Sequence, residues 1–187
     1  MNFAIRKKSN DRKHRIYNAL RSVQVLRQGY RSIRSAIKYR NTPLIEQLNA
    51  GLQTDLYKEA NGVWARAWEV TEALVRQIAL EVEEGGAEFW LLTLSNPIQI
   101  YPDSKVRQQF SDHLGVSDLE YPDRRLAELA KANSMRLIRL AEPLRVTAEQ
   151  LGQGLHGSAR FAGGHWNALG HRAAGKILAA EMCAAYD

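Results

Sequence analysis

The residues able to do chemistry gather toward the end of this 187-residue chain. Gly163-Gly164-His165-Trp166-Asn167 stands immediately before a helical stretch. His165 is therefore held at a helix start, next to glycines that permit close approach and unusual backbone angles. An imidazole fixed there is the leading candidate for a general base. His156, in Leu155-His156-Gly157, shares the glycine-rich loop and could line the same pocket. Ser95 closes a short apolar run beside Asn96, but a turn serine bonding its own backbone is the plainer reading, as is a loop role for Ser158. His171, one turn into the last helix, is expected to pack, and His14 and His113 fall on helical stretches with no partner in sequence. His165 and His171 are six residues apart, on opposed sides of a regular helix, which argues against a metal pair. No metal and no cofactor is expected.

Several elements must position these groups. Gly62 precedes an amphipathic helix with Trp64, Ala67, Trp68, Thr71, Leu74, Ile78 and Val82 on one face, stopped by Gly85-Gly86. Phe89–Leu94 is a short continuous apolar run, as in a strand covered on both faces, and Ser95-Asn96-Pro97 ends it. Asp103 and Asp123 each follow Tyr-Pro and read as turn or cap residues, Asp123 opening a helix to about Lys131. Met135–Leu140 reads as a second strand, ended by Glu142-Pro143. The roughly forty residues between the strands allow a helical crossover and parallel pairing. A glycine-rich loop follows, then a helix from about Ala168 to Ala184 with Asn167 as N-cap. Ligands of open α/β sheets bind beyond the carboxyl ends of strands, which here means residues 95–99 and the loop 141–166. Two parallel strands make a poor core alone, so further strands are expected near residues 41–60 or outside this chain.

Composition sets the remaining bounds. The chain is 45% hydrophobic and 25% charged, as in ordinary globular domains. The single cysteine, Cys183, excludes an internal disulfide framework. No apolar run approaches the roughly 20 residues of a membrane span, and Met1–Asn10 lacks the apolar stretch of a signal peptide, so a cytoplasmic location is the default. Residues 1–40 hold twelve Lys or Arg and one acid, a net of +11; residues 41–187 hold fourteen against nineteen, a net of −5, giving the overall +6. The chain thus reads as a basic extension, 1–40, followed by a mildly acidic α/β domain, 41–187. From Arg12 to about Tyr39, Ile16, Leu20, Val23, Tyr30, Ile33 and Ile37 recur at helical spacing among arginines. This is one basic amphipathic helix, or two broken near Gly29, ending at Asn41-Thr42-Pro43. Such a helix packs its stripe on the domain, or lies on an anionic surface. No zinc-finger spacing or RNA-binding aromatic motif points to nucleic acid.

Gly164-His165-Trp166-Asn167-Ala168-Leu169-Gly170-His171 resembles the C-terminal histidine block of the SGNH (GDSL-like) serine hydrolases. The upstream order of helix, strand, helix, strand and glycine-rich loop is similar too, so the resemblance covers about residues 62–184. It implies a flavodoxin-like three-layer sandwich and hydrolysis of acyl or acetyl esters, in which a serine attacks the carbonyl and the histidine takes its proton. His165 matches the catalytic histidine, with Trp166, His156 and Asn96 near the substrate pocket and Asn167 as helix cap. The family's Gly-Asp-Ser nucleophile block has no counterpart here, nor do its glycine and Gly-x-Asn-Asp blocks. Its orienting aspartate would fall at Ala162 or Gly163, although some members orient the histidine with a backbone carbonyl. The chain thus resembles the C-terminal half of such a hydrolase, an incomplete sandwich with few parallel strands and a basic N-terminal helix.

A base without its nucleophile retains little catalysis, so the chain is expected to be inactive alone. The implied partners are a small ester substrate once complemented, and the missing N-terminal half or a second copy. The alternative is a non-catalytic interaction module that binds an anionic surface, such as a membrane, or a partner protein through the basic helix and an exposed sheet edge. A third assignment pairs Ser95 with His165.

Overall fold

The computed structural model describes residues 21–49, 53–158 and 161–186. Met1–Asn10, His14 and the Arg12–Leu20 portion of the expected basic helix lie outside the described residues. The chain divides into two compact units, Met1–Thr42 and Pro43–Asp187.

In the first unit α1 spans Arg21–Arg40 and runs through Gly29 without a break. Its sequence holds no acid, and Val23, Leu26, Tyr30, Ile33 and Ile37 recur at alternating spacings of three and four. That spacing lays one apolar stripe along the helix. Arg27, Arg31 and Arg34 repeat at the same spacing one position on, so a basic stripe runs beside the apolar one. The helix ends at Arg40, three positions before Pro43, whose ring disfavours helical backbone in the residue ahead of it.

The second unit is mixed α/β. A short helix, α2 (Leu44–Leu48), and a 3-10 turn (Thr54–Tyr57) stand where the sequence leaves room for extra strands. There follow α3 (Gly62–Glu84), β1 (Trp90–Thr93), α4 (Ser104–Leu114), α5 (Tyr121–Ala132), β2 (Arg136–Arg139), α6 (Ala141–Leu151), β3 (His156–Ser158), β4 (Phe161–Trp166) and α7 (Ala168–Ala184). The two apolar runs do pair in parallel, Trp90 opposite Arg136 through Thr93 opposite Arg139, with α4 and α5 in the crossover. The glycine-rich loop, expected to be irregular, instead forms an antiparallel hairpin of β3 and β4. Among the described residues each sheet has two strands.

Two apolar clusters hold this unit together. Ile100, Ile138, Leu140, Leu144, Ala148, Leu155 and Ala174 pack where β2, α6 and α7 meet. Leu48, Tyr57, Ile98, Phe110 and Leu119 form the second, under α2 and α4. Coverage of β1 is one-sided. Thr93 is buried, whereas Leu92 and Leu94 are exposed, so the strand is not enclosed on both faces as its composition suggested. The expected apolar face of α3 is likewise only partly used: Trp68 is buried and Trp64 and Val82 half-buried, while Leu74 and Ile78 lie in the open. A two-stranded ribbon is too narrow to shelter a 23-residue helix. Trp68 is held by other means, edge-on to Tyr121 with the Arg125 guanidinium 5.1 Å from its ring centroid. Among the described residues no helix is long and apolar enough to cross a membrane.

Leu144 is fully buried at the centre of the larger cluster. Leu144→Ala is expected to lower unfolding stability by about 2–5 kcal/mol, read from the denaturant midpoint, because neighbouring helices cannot fully refill the space.

Candidate functional site

A cleft of about 580 Å³ opens where the chain leaves β1, lined by Leu94 to Pro97 on one side and by His156, His165, Trp166 and His171 on the other. This is the carboxyl end of a parallel strand, the edge at which α/β sheets place ligands.

The β1 side is anchored by a buried carboxylate. Asp123, in the first turn of α5, is not the cap that its sequence position suggested. Its Oδ1 accepts from Thr93 Oγ1 at 2.7 Å and its Oδ2 from Gln99 Nε2 at 2.8 Å. Gln99 Nε2 also donates to the Leu119 carbonyl, and Gln99 Oε1 accepts the Asn96 backbone N–H at 2.8 Å. The Asn96 side chain donates to the Tyr57 hydroxyl at 2.8 Å. Burial pushes the Tyr57 phenol up to about 12, against the opposing effect of the Asn96 bond and with a smaller push from the Asp123 and Glu120 charges. Tyr57 therefore stays a phenol at neutral pH and fixes Asn96 from behind. Asp103 does cap a helix, its side chain accepting from Lys105 N–H.

The hairpin supplies the other side. The left-handed Gly157 (φ +71°) brings β3 and β4 so close that a Cβ there would collide with the Phe161 carbonyl oxygen. At Gly163 a Cβ would strike the Gln47 carbonyl oxygen of α2. Asn167 caps α7 as its position implied: its Oδ1 accepts from Gly170 N–H at 3.0 Å. Its Nδ2 donates to the carbonyls of Gly154 and His156, tying the helix start to the hairpin. Trp166 lies edge-on to His171, with ring centroids 5.7 Å apart, and edge-on to His156 at 6.2 Å.

His165 is exposed at the rim of this cleft. His156 is buried, at 8% exposure, and its ring reaches the Ser95 hydroxyl. Its Nδ1 lies 2.8 Å from the Gly164 carbonyl oxygen and its Nε2 3.4 Å from Ser95 Oγ. A carbonyl only accepts, so Nδ1 carries the proton and the Nε2 lone pair faces Ser95. Ser95 Oγ also accepts from the Trp166 indole N–H at 3.1 Å. Ser95 thus binds groups 61 and 71 residues away along the chain. The structure gives Ser95 to His156 and Trp166 as partners, and the cleft brings His156, His165, Trp166 and Asn96 together. His171, expected to be packed, is an exposed member of the same lining.

The Ser95–His156 contact was hidden in sequence because its register depends on the hairpin. Gly157, inside β3 where the pairing is irregular, hints at a hairpin but does not set which residue Ser95 meets. Among the described residues no group of three or more His, Cys, Asp or Glu side chains is placed to hold a metal ion. Set against protein-family models, curated proteins and solved structures, the chain matches none of them.

Burial pulls the His156 imidazole below its ordinary value; the Gly164 carbonyl works against that shift and His165 nearby adds to it. A histidine neutral in the folded state and chargeable when unfolded lets the unfolded chain bind more protons as pH falls below about 6.5. Its contribution is complete above that pH and declines on acidification until the folded pKa is passed. Urea midpoints measured from pH 8 to pH 5 should fall with pH, and His156→Gln should flatten part of that fall.

Proposed function

We propose that residues 43–187 are the C-terminal part of an SGNH/GDSL-type ester hydrolase, an incomplete flavodoxin-like sandwich whose general base is His165. The observation that carries this reading is the exposure of the His165 imidazole on the rim of a cleft at the carboxyl end of β1. A hydroxyl brought by a complementing segment can reach an exposed imidazole, and His165 follows two glycines and precedes a capped helix. The half-covered β1 and α3 support the same reading, since both keep apolar side chains that a further layer of structure could cover. In this mechanism a serine from a complementing segment attacks the ester carbonyl, and His165 takes the hydroxyl proton and returns it to the departing alcohol. Trp166, Asn96 and His156 border the acyl group. The partner is that serine-bearing half, and the substrate is a small acyl or acetyl ester.

Mixing the chain with a polypeptide that supplies the Gly-Asp-Ser half should raise hydrolysis of short-chain nitrophenyl esters. His165→Ala should remove at least a hundredfold of that gain, the order expected for general-base catalysis. A gain indifferent to His165→Ala would remove the histidine from the reaction.

A second reading rests on α1. Its paired apolar and basic stripes, with no acid between Arg21 and Arg40, suit an anionic surface, and in that case the chain is an interaction module. Binding to vesicles containing phosphatidylserine should then weaken as salt is raised and vanish on deletion of residues 1–40. Binding that ignores salt would discard it.

A further inference from the structure

We propose that Ser95 and His156 form an acyl-accepting nucleophile–base pair carried entirely by this chain, able to react with activated esters and related acyl or phosphonyl donors. The proposal stands apart from the assignment of His165 and needs no second polypeptide.

Three geometric facts carry it. First, Ser95 does not behave as a turn serine: the partners of its Oγ are the His156 ring, at 3.4 Å, and the Trp166 indole, at 3.1 Å. Second, the Gly164 carbonyl, 2.8 Å from Nδ1, fixes the His156 tautomer and leaves Nε2 free of a proton on the serine side. A backbone carbonyl thus performs the orienting role that an acid performs in a three-residue arrangement. Third, the indole N–H donates into one lone pair of Oγ, so the serine's own hydrogen is left to point at Nε2. A separation of 3.4 Å is the loose end of a nucleophile–base hydrogen bond, a geometry that tightens when substrate closes the site. Both residues are largely buried, Ser95 at 7% and His156 at 8% exposure, yet both line the cleft, so a ligand seated there meets the pair.

The surroundings also set the class of donor. The Asn96 backbone N–H, beside the nucleophile, is already occupied by Gln99 Oε1. It does not point at a developing oxyanion, so the pair is matched to reagents with a good leaving group rather than to unactivated esters or amides. Leu94, Pro97 and Trp166 give the acyl side an apolar wall. In the step itself, Ser95 Oγ bonds to the acyl carbon while its proton passes to His156 Nε2. The carbon–oxygen bond to the leaving group then breaks, and the alcohol or phenol departs with the electron pair, taking its proton from Nε2 or from water. With a fluorophosphonate, the oxygen–phosphorus bond forms and fluoride leaves.

The test treats the full chain with an alkyl fluorophosphonate and maps the adducts by peptide mass spectrometry. Ser95 should be modified at least tenfold faster than the exposed Ser117, which serves as an internal reference. Ser95→Ala should lose that adduct, Ser117→Ala should leave it in place, and His156→Gln should slow it by about a hundredfold, the order of a general base. Nitrophenyl acetate should release nitrophenolate stoichiometrically with the chain, and this burst should disappear in Ser95→Ala. A wild-type Ser95 that labels no faster than Ser117 overturns the proposal without any variant having to fold. So does a folded His156→Gln chain that labels at the wild-type rate. Either failure leaves the His165 reading standing, and failure of complementation leaves this pair standing.

Discussion

The cleft depends on a carboxylate that never meets solvent. Asp123 takes Thr93 at the end of β1 with one oxygen and Gln99 in the following turn with the other, and Gln99 in turn clamps the backbone of Asn96. Ser95 sits between the two fixed points. Removing such an acceptor would strand two buried donors, each costing about 1–3 kcal/mol. The turn after β1 therefore keeps one shape, and everything that faces Ser95 across the cleft can be positioned against it.

On the opposite side the positioning is done by backbone. The hairpin strands approach closely at the left-handed Gly157 and press against α2 at Gly163, and the capping side chain of Asn167 fastens them to α7. Two histidines on this hairpin end in different circumstances. His156, at its start, is drawn inward and held by the Gly164 carbonyl; His165, near its end, stays at the surface. Alternation along short strands separates them, and it does so with imidazoles nine positions apart. The two differ in surroundings: one lies 3.4 Å from a hydroxyl, the other faces the open cleft rim.

Much of this was readable from residues alone. The apolar runs near Leu91 and Leu137 are strands, Asn167 caps α7, and the Gly85-Gly86 stop of α3 holds, because each of these features is decided by neighbours a few positions away; the parallel pairing of the two strands followed from the length of the crossover between them. Asp123 misled because a carboxylate after Tyr-Pro resembles a helix cap, whereas its partners Thr93 and Gln99 arrive from thirty and twenty-four residues upstream. The hairpin was missed because five glycines in a short stretch obscure any alternation, and its pairing is stabilised by close backbone contact rather than by side-chain pattern. The Ser95–His156 contact follows from both of these long-range arrangements, so no local rule could have placed it. Whether residues near 41–60 add strands is settled for those described: they form a helix and a 3-10 turn.

The bare leucines of β1 have a bearing on how the molecule behaves among its own kind. Leu92 lies in, and Leu94 just beyond, a strand that pairs along one edge with β2 and along the other with no described strand, the sort of ribbon that chaperones grip and that nucleates stacking between molecules. Its protection is brevity. Four residues offer too few rungs to template a long ladder, so the element that most invites aggregation is also too short to propagate it.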